Sequence, residues 1–287
     1  MTLPFRALAL DIDGTLIDSA KRIMPFTRSE IARVAALGVH VFLVTARSPE
    51  STAVVEERLG VPSSHACFGG ALVQVRDGVG VDAGDGAGGL RDLLAEPIPA
   101  EVVRRVLDAA RGLDLHVGVY TRDRWLIADL DYYGLREARN TAVWPVVADL
   151  DGIAWEGDDR AFKVMMRGDA DAVAKAHEAV SAPELRDRVY AHSNGRILEI
   201  SSRTAVKWPA VELLCRHHGI RPDEVVAFGD TAADLEMLGR VGFGVLMANA
   251  SPSLDVPPGV HRTLSNDEDG IGVMLRKCFP TGEAFRP

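Results

Sequence analysis

The arrangement of apolar runs restricts the folds open to this chain more than any other feature. Residues 5–10 read FRALAL, a short and mostly apolar run of the kind a buried parallel strand takes. Thr27, Arg28, Ser29 and Glu30 then give a capping-box pattern, followed by Ile31, Val34, Ala35 and Leu37 at helical spacing and by Gly38 as a stop. Residues 39–44 (VHVFLV) form a second buried run. Ser48 and Pro49 open another helix, with proline at its first position, and Gly60 closes it. Strand, helix, strand, helix in that order predicts right-handed crossovers and a parallel sheet.

The rhythm then breaks. Residues 72–75 and 79–81 flank Arg76, Asp77 and Gly78, and Asp-Gly between alternating apolar residues predicts a hairpin. Residues 82–89 (DAGDGAGG) are glycine-rich and read as a linker. Beyond them the pattern predicts a helix over 100–111, extended runs near 115–120, 125–128 and 162–166, a helix over 170–180 and a strand near 188–191. A helix followed by paired strands, twice over, indicates a separate α+β unit. After residue 195 the alternation returns: strands over 196–200, 225–228 and 243–246, helices over 205–217 and 231–238, and a last helix near 271–278. The expected organisation is an α/β domain made of residues 1–85 and 195–287, interrupted by an α+β insertion over 86–194.

Composition narrows the classes of function. The 287 residues suit one large domain or two modest ones. They carry 32 Lys and Arg against 41 Asp and Glu, a formal charge of −9. That balance argues against broad nucleic-acid binding, which needs a basic patch to displace counterions. Cys67, Cys215 and Cys278 are far apart and odd in number, which indicates neither a disulfide framework nor a zinc site. No apolar stretch approaches the roughly 18–20 residues that span a bilayer. The first ten residues lack a basic leader and are followed by two aspartates, unlike a signal peptide. The expectation is a soluble cytoplasmic protein with no nucleic-acid or membrane partner. No feature points to a particular oligomeric state.

Acidic residues at predicted strand ends carry the candidate chemistry, because open α/β sheets bind ligands at the C-terminal edge of their strands. Asp11, Ile12, Asp13, Gly14 and Thr15 follow the first strand. Alternation would place Asp11 and Asp13 on one side, with Gly14 turning the chain. Two nearby carboxylates repel unless a cation neutralises them or one takes a proton. A strand end followed by a polar turn is the plainer alternative. A calcium loop fits poorly, since Leu16 and Arg22 stand where it wants Gly and Glu. Gly229-Asp230-Thr231-Ala232-Ala233-Asp234 follows another apolar run, VVAF. Asp230 serves equally as a helix N-cap, and Asp234, four positions on, would stack one turn above it. Thr45, Ala46 and Arg47 end the second strand, where a hydroxyl and free N–H groups suit a phosphate. Lys207, after residues 198–201 (LEIS), is a solvated lysine unless it points at the acidic edge, where it would clamp a phosphate.

DIDGT (11–15), TAR (45–47), Lys207 after LEIS, GDTAAD (229–234), LMANA (246–250) and SNDEDGIG (265–272) fall in the order found in the haloacid dehalogenase-like (HAD) phosphatase superfamily. The chain resembles the Cof-type branch of that superfamily, with a C2 (class IIB) cap. The resemblance runs from Leu8 to about Leu275, the cap at 86–194 matching only in outline. It implies a Rossmann-like parallel-sheet core carrying an inserted α+β cap that sets substrate specificity. It also implies a Mg²⁺-dependent phosphoric monoester hydrolase acting on a small phosphorylated metabolite such as a sugar phosphate. By position, Asp11 would be the nucleophile that forms an aspartyl-phosphate, and Asp13 the acid and base. Mg²⁺ would be held by the Asp11 carboxylate, the Asp13 carbonyl and Asp230, with Asp234 in or beside that shell. Thr45, Ala46 and Lys207 would hold the phosphoryl oxygens.

The sequence departs from that pattern at several positions. Ala233 replaces the Asn of the usual GDxxND, Gly69 replaces the Asn of an NGA element, and Ala46 and Ala248 stand where Gly is usual. Losing a charge-assisted phosphate contact costs roughly 1.5–3 kcal/mol, about ten- to a hundredfold in affinity. Two alternatives to the phosphatase follow: a phosphate-binding or regulatory module that no longer turns over, and a phosphomutase of the same fold. In the cap, His116, Tyr120, Arg122, Arg124 and His192 are candidates to line a substrate pocket, and residues 82–89 a hinge for cap closure.

Overall fold

The computed structural model describes residues 4–76 and 89–280. The predicted strand over 79–81 and residues 82–88 of the predicted linker and hinge lie outside the described residues. The chain divides into two compact units, one of residues 1–45, 55–93 and 206–287, the other of residues 46–54 and 94–205.

In chain order the elements begin β1 (Ala7–Leu10), α1 (Pro25–Ala35), β2 (His40–Val44), α2 (Pro49–Leu59), β3 (Ser64–Cys67), β4 (Leu72–Arg76) and β5 (Leu90–Ala95). There follow α3 (Ala100–Ala110), β6 (Leu115–Thr121), β7 (Trp125–Ile127), α4 (Tyr132–Thr141), β8 (Val146–Val147), β9 (Ala161–Gly168), α5 (Ala170–Val180), α6 (Pro183–Arg186), β10 (Val189–Ser193) and β11 (Ile197–Ser202). The chain closes with α7 (Lys207–His217), β12 (Val225–Gly229), α8 (Leu235–Arg240), β13 (Phe243–Leu246), β14 (His261–Arg262) and α9 (Gly270–Cys278).

In the first unit the described strands form one sheet in the order β14-β13-β12-β1-β2-β3-β4-β5. Pairing is parallel from β14 to β3 and antiparallel between β3 and β4. This is the α/β core that the alternating runs predict. β1 lies between β12 and β2, and all four of its residues are buried, which explains why its sequence is apolar on both faces. Leu8 and Leu10 join Ile31 and Val34 of α1 and Ile271, Met274 and Leu275 of α9 in one core cluster. α7 covers β2, β3 and β4 with Trp208, Ala210, Val211 and Leu214 buried.

The second unit has a sheet ordered β10-β11-β9-β6-β7-β8, antiparallel from β10 to β7, on which α3 and α5 pack. It shifts both expected boundaries. The strand expected over 196–200 in the α/β core is β11, and it pairs with β9 and β10 in this second sheet. Its burial alternates, with Leu198 and Ile200 in the helix-covered core. A strand covered on one face belongs to an antiparallel sheet, whereas a doubly covered parallel strand is apolar throughout. The return to the first unit therefore falls at residue 206, not 195, and the departure after Leu93, not at 85.

The start of α1 also differs from expectation. The helix begins at Pro25, so Thr27 is inside it and caps nothing locally. The Thr27 amide instead donates to Asp269 Oδ1 at 2.8 Å, and Glu30 pairs with Arg33 and Arg276. A residue far along the chain satisfies the helix N-terminus, which no local pattern can announce.

Candidate active site

β1, β2 and β12 end side by side, and each delivers a polar residue to the same edge. The Asp11 amide donates to the Phe228 carbonyl, the last bond before the two strands part. Leu10 lies opposite Leu43, and Thr45 follows directly on the last residue of β2, so it leaves the sheet at the same edge as Asp11. Past Leu10 the chain turns, and Gly14 adopts φ +81°. A Cβ there would lie 2.3 Å from Asp230 Oδ2, so both the turn and the approach of Asp230 require glycine. Thr15 Oγ1 donates to Asp230 Oδ1 at 3.0 Å.

At the end of β12, Gly229 makes room for Asp234 to fold back: a Cβ on Gly229 would stand 2.4 Å from the Asp234 Cβ. Asp230 precedes a short turn over Ala232–Asp234, and α8 starts only at Leu235. The predicted stacking of Asp234 above Asp230 on one helix is therefore not what forms. Asp234 Oδ2 accepts from the amides of Asp230 and Thr231 and from Thr231 Oγ1, and Asp234 Oδ1 accepts from Lys207 Nζ at 2.6 Å. Lys207, buried at the start of α7, donates equally to Asp11 Oδ1 at 2.6 Å. Asp11, Asp230 and Asp234 each bring an oxygen within 4.8 Å of the others.

The charges at this edge do not balance. Three carboxyls face one ammonium. Burial, with Asp234 and Asp230 adding to it against Lys207, pushes the Asp11 carboxyl up to about 8. Burial and then Asp234 push Asp230 up to about 6. Burial of Asp234 works in the same direction but is outweighed by the Lys207 charge and hydrogen bond, so its pKa is lowered. Lys207 is held above its ordinary range, the attraction of Asp11 and Asp234 exceeding the cost of its burial. The cluster takes up protons or a cation to relieve the excess of negative charge. Its donor set is all oxygen, which suits a hard divalent cation such as Mg²⁺, and Asp11 and Asp230 have the oxygens least engaged by protein donors.

The other expected residues are placed as follows. Asp13 is exposed and outside the acidic trio, its Oδ1 paired with Lys21 at 2.7 Å, because the strand has ended and alternation no longer applies. Ala46 and Ala233 are exposed. Gly69 sits at φ 71° and donates its amide to the Thr45 carbonyl, in a conformation that Gly and Asn both accept. In the second unit His116 and Tyr120 are buried, His116 pairing with Asp131 and Tyr120 stacking on Trp125. Arg124 pairs with Asp159, Arg122 with Asp123, and His192 is exposed. These five do not converge on one cluster. Sequence reasoning missed Asn249, whose Nδ2 donates to the Gly14 carbonyl at 2.8 Å and lies 3.4 Å from Asp230 Oδ2. The signal was available: Asn249 follows β13, and it leaves the sheet at the same edge.

The acid–lysine cluster lies at the C-terminal edge of a parallel α/β sheet, the edge at which open α/β sheets bind their ligands. The family model for haloacid dehalogenase-like hydrolases matches residues 8–275, and the chain belongs to that family. Among its relatives, the 5-amino-6-(5-phospho-D-ribitylamino)uracil phosphatase YitU of Bacillus subtilis is 25% identical over 281 residues, 95% of this chain and 97% of its own. The HMP-PP phosphatase of Serratia proteamaculans is 26% identical over 251 residues, 87% and 86% of the two chains. Among solved structures, a haloacid dehalogenase-like hydrolase from Bacteroides thetaiotaomicron aligns with a TM-score of 0.81 at 22% identity, covering 96% of this chain and all of its own. The subclass IIB sugar phosphatase BT4131 aligns with a TM-score of 0.74 at 18% identity, over 94% and 98%. No helix among the described residues is long and apolar enough to cross a membrane.

Proposed function

We propose that the chain is a Mg²⁺-dependent phosphatase that hydrolyses a small phosphorylated metabolite through an aspartyl-phosphate. The observation that carries the reading is the Lys207 ammonium held at 2.6 Å from both Asp11 and Asp234, with Asp230 completing an acidic trio at one sheet edge. Asp11 and Asp230 would hold the cation. Asp234, whose two oxygens already accept four protein donors, would sit beside it and anchor Lys207. The bound cation supplies positive charge against the phosphoryl oxygens.

The residues divide the chemistry in two steps. An Asp11 carboxylate oxygen attacks phosphorus; the bond to the leaving oxygen breaks, and Asp13, at the exposed rim, gives that oxygen a proton. Asp13 then takes a proton from water, the water oxygen bonds to phosphorus, and the acyl-phosphate P–O bond breaks to regenerate Asp11 and release phosphate. Lys207 and Thr45 offer donors to the phosphoryl oxygens throughout. The inserted unit, residues 94–205, would supply selectivity for the organic part of the substrate. The phosphatase names of relatives that act on different phosphorylated compounds support the reaction type more than any one substrate.

The test is phosphate release from a panel of sugar phosphates, nucleotides and an aryl phosphate, with Mg²⁺, with EDTA, and with Asp11→Asn. Mg²⁺-dependent release that Asp11→Asn abolishes is expected. A folded protein that binds the cation and releases phosphate from nothing would instead be a phosphate-binding module, the reading that Ala233 favours by offering a methyl where relatives of the resemblance carry a carboxamide.

A further inference from the structure

Two segments singled out by their sequence, residues 246–250 and 265–272, take no part in the proposed chemistry. Each of their polar side chains nevertheless makes a hydrogen bond. Ser265 Oγ donates to Glu268 Oε2 at 2.6 Å, and the Glu268 amide returns to the Ser265 carbonyl, closing a tight turn. Asp269 is left-handed at φ 58°, and Gly270 is obligatory because a Cβ would meet the Leu264 carbonyl oxygen at 2.2 Å.

The closed turn grips the segment that follows Asp11 at three points. Asn266 Nδ2 donates to the Ile17 carbonyl at 2.9 Å, Asp267 Oδ1 accepts from the Ser19 amide at 2.8 Å, and Asp269 Oδ1 accepts from the Thr27 amide at 2.8 Å. Asn249 extends the grip to the acids. Its Oδ1 accepts from the Asn266 amide at 3.2 Å, while its Nδ2 faces both the Gly14 carbonyl and Asp230 Oδ2. One carboxamide thus ties the turn to the Gly14 carbonyl and to Asp230 of the acidic trio. With Thr15 on Oδ1 and Asn249 on Oδ2, the plane of the Asp230 carboxylate is set from both ends.

We propose that Asn249, braced by the 265–269 turn, is a positioning residue that holds Asp230 and the Gly14 carbonyl in the arrangement that receives the divalent cation. The inference rests on the metal-dependent reading above. Groups that orient a metal ligand without touching the metal are worth roughly ten- to a hundredfold in affinity or activity.

The test is Mn²⁺ binding, followed by electron paramagnetic resonance, on the full chain and on Asn249→Ala, with melting temperatures in EDTA alongside. Asn249→Ala is expected to bind Mn²⁺ roughly tenfold more weakly or worse, at an unchanged melting temperature in EDTA. Its Mg²⁺ requirement for phosphate release should rise while KM for substrate at saturating Mg²⁺ stays put. Asn249→Ser, whose hydroxyl is too short to bridge Gly14 and Asp230, serves if the alanine variant does not fold. Mn²⁺ affinity equal to wild type in a folded variant would overturn the inference and leave the phosphatase reading standing. A wild-type protein that binds Mn²⁺ but releases no phosphate would sink the phosphatase reading, and the Mn²⁺ ratio would still judge Asn249. A wild-type protein that binds no Mn²⁺ overturns both.

Discussion

Replacing Lys207 by alanine tests the charge arithmetic of the site. The side chain is 8% exposed and donates at 2.6 Å to both Asp11 and Asp234. Its removal leaves two buried carboxyls without their ammonium. Breaking a buried ion pair by deleting one partner costs about 3–5 kcal/mol. Two lost charge-assisted bonds at about 1.5–3 kcal/mol each give the same order. At about 2–4 °C per kcal/mol for a chain of this size, the melting temperature in EDTA should fall by roughly 6–20 °C. The loss should also depend on pH. In the wild type Asp234 is held below its ordinary range, burial being outweighed by Lys207, so it contributes stability above its unfolded pKa. Without Lys207 the push of burial is opposed only by the Thr231 hydrogen bonds, so the Asp234 pKa rises. The folded variant then holds a proton that the unfolded chain releases, and its stability falls as pH rises by up to about 1.4 kcal/mol per unit. Urea unfolding of both proteins in EDTA, at about pH 5.5 and about pH 8, reads this directly. A gap between variant and wild type that is the same at both pH values would refute the reasoning.

Three further outcomes are expected. Asp11, pushed up to about 8 chiefly by burial, and Asp230, pushed up to about 6 likewise, hold protons that a cation displaces. Mn²⁺ affinity should therefore rise with pH across that range, by up to about tenfold per unit for each proton released; titration calorimetry in two buffers of different ionisation heat counts those protons, and a count of zero near pH 7 would contradict the assignment. Ala233→Asn places a carboxamide at an exposed position, so stability should change by no more than about 0.5 kcal/mol. If the missing group is a phosphate contact, kcat/KM should rise about tenfold or more, and an unchanged value would clear Ala233 of blame for weak turnover. Asp269→Gly keeps the left-handed backbone but removes the acceptor for the Thr27 amide, which should cost about 1–2 kcal/mol in urea unfolding, with Asp269→Asn retaining most of it. Equal losses for the two variants would show that the side-chain cap is not the cause.

Much of the first unit was legible because its strands are doubly buried. The runs at β1, β2, β12 and β13 are apolar on both faces, and the glycines and prolines between them punctuate cleanly. Asp11, Thr45, Lys207, Asp230 and Asp234 could each be marked as strand-end or helix-start residues. β11 was misassigned because a short run rich in Ile and Leu looks apolar whether one face or both are covered. Asp13 was grouped with Asp11 by a period of two that stops where the strand stops. The candidate pocket residues of the second unit had no such anchor: Arg122 and Arg124 pair with nearby acids, while His116 and Tyr120 both face the buried Glu137–Arg167 pair.

Local pattern therefore settled which residues lie at strand ends, since burial periodicity and turn chemistry are properties of neighbouring residues. It could also state that three acids need positive charge. Only the tertiary structure decided which donors answer it: Lys207 for Asp11 and Asp234, Thr15 and Asn249 for Asp230. Each of those partners is far away in the chain except where the fold has closed. Hydrogen bonds and ion pairs act over a few ångströms, so they are written by the strand order, which brings residues 11, 207, 230 and 249 to one edge.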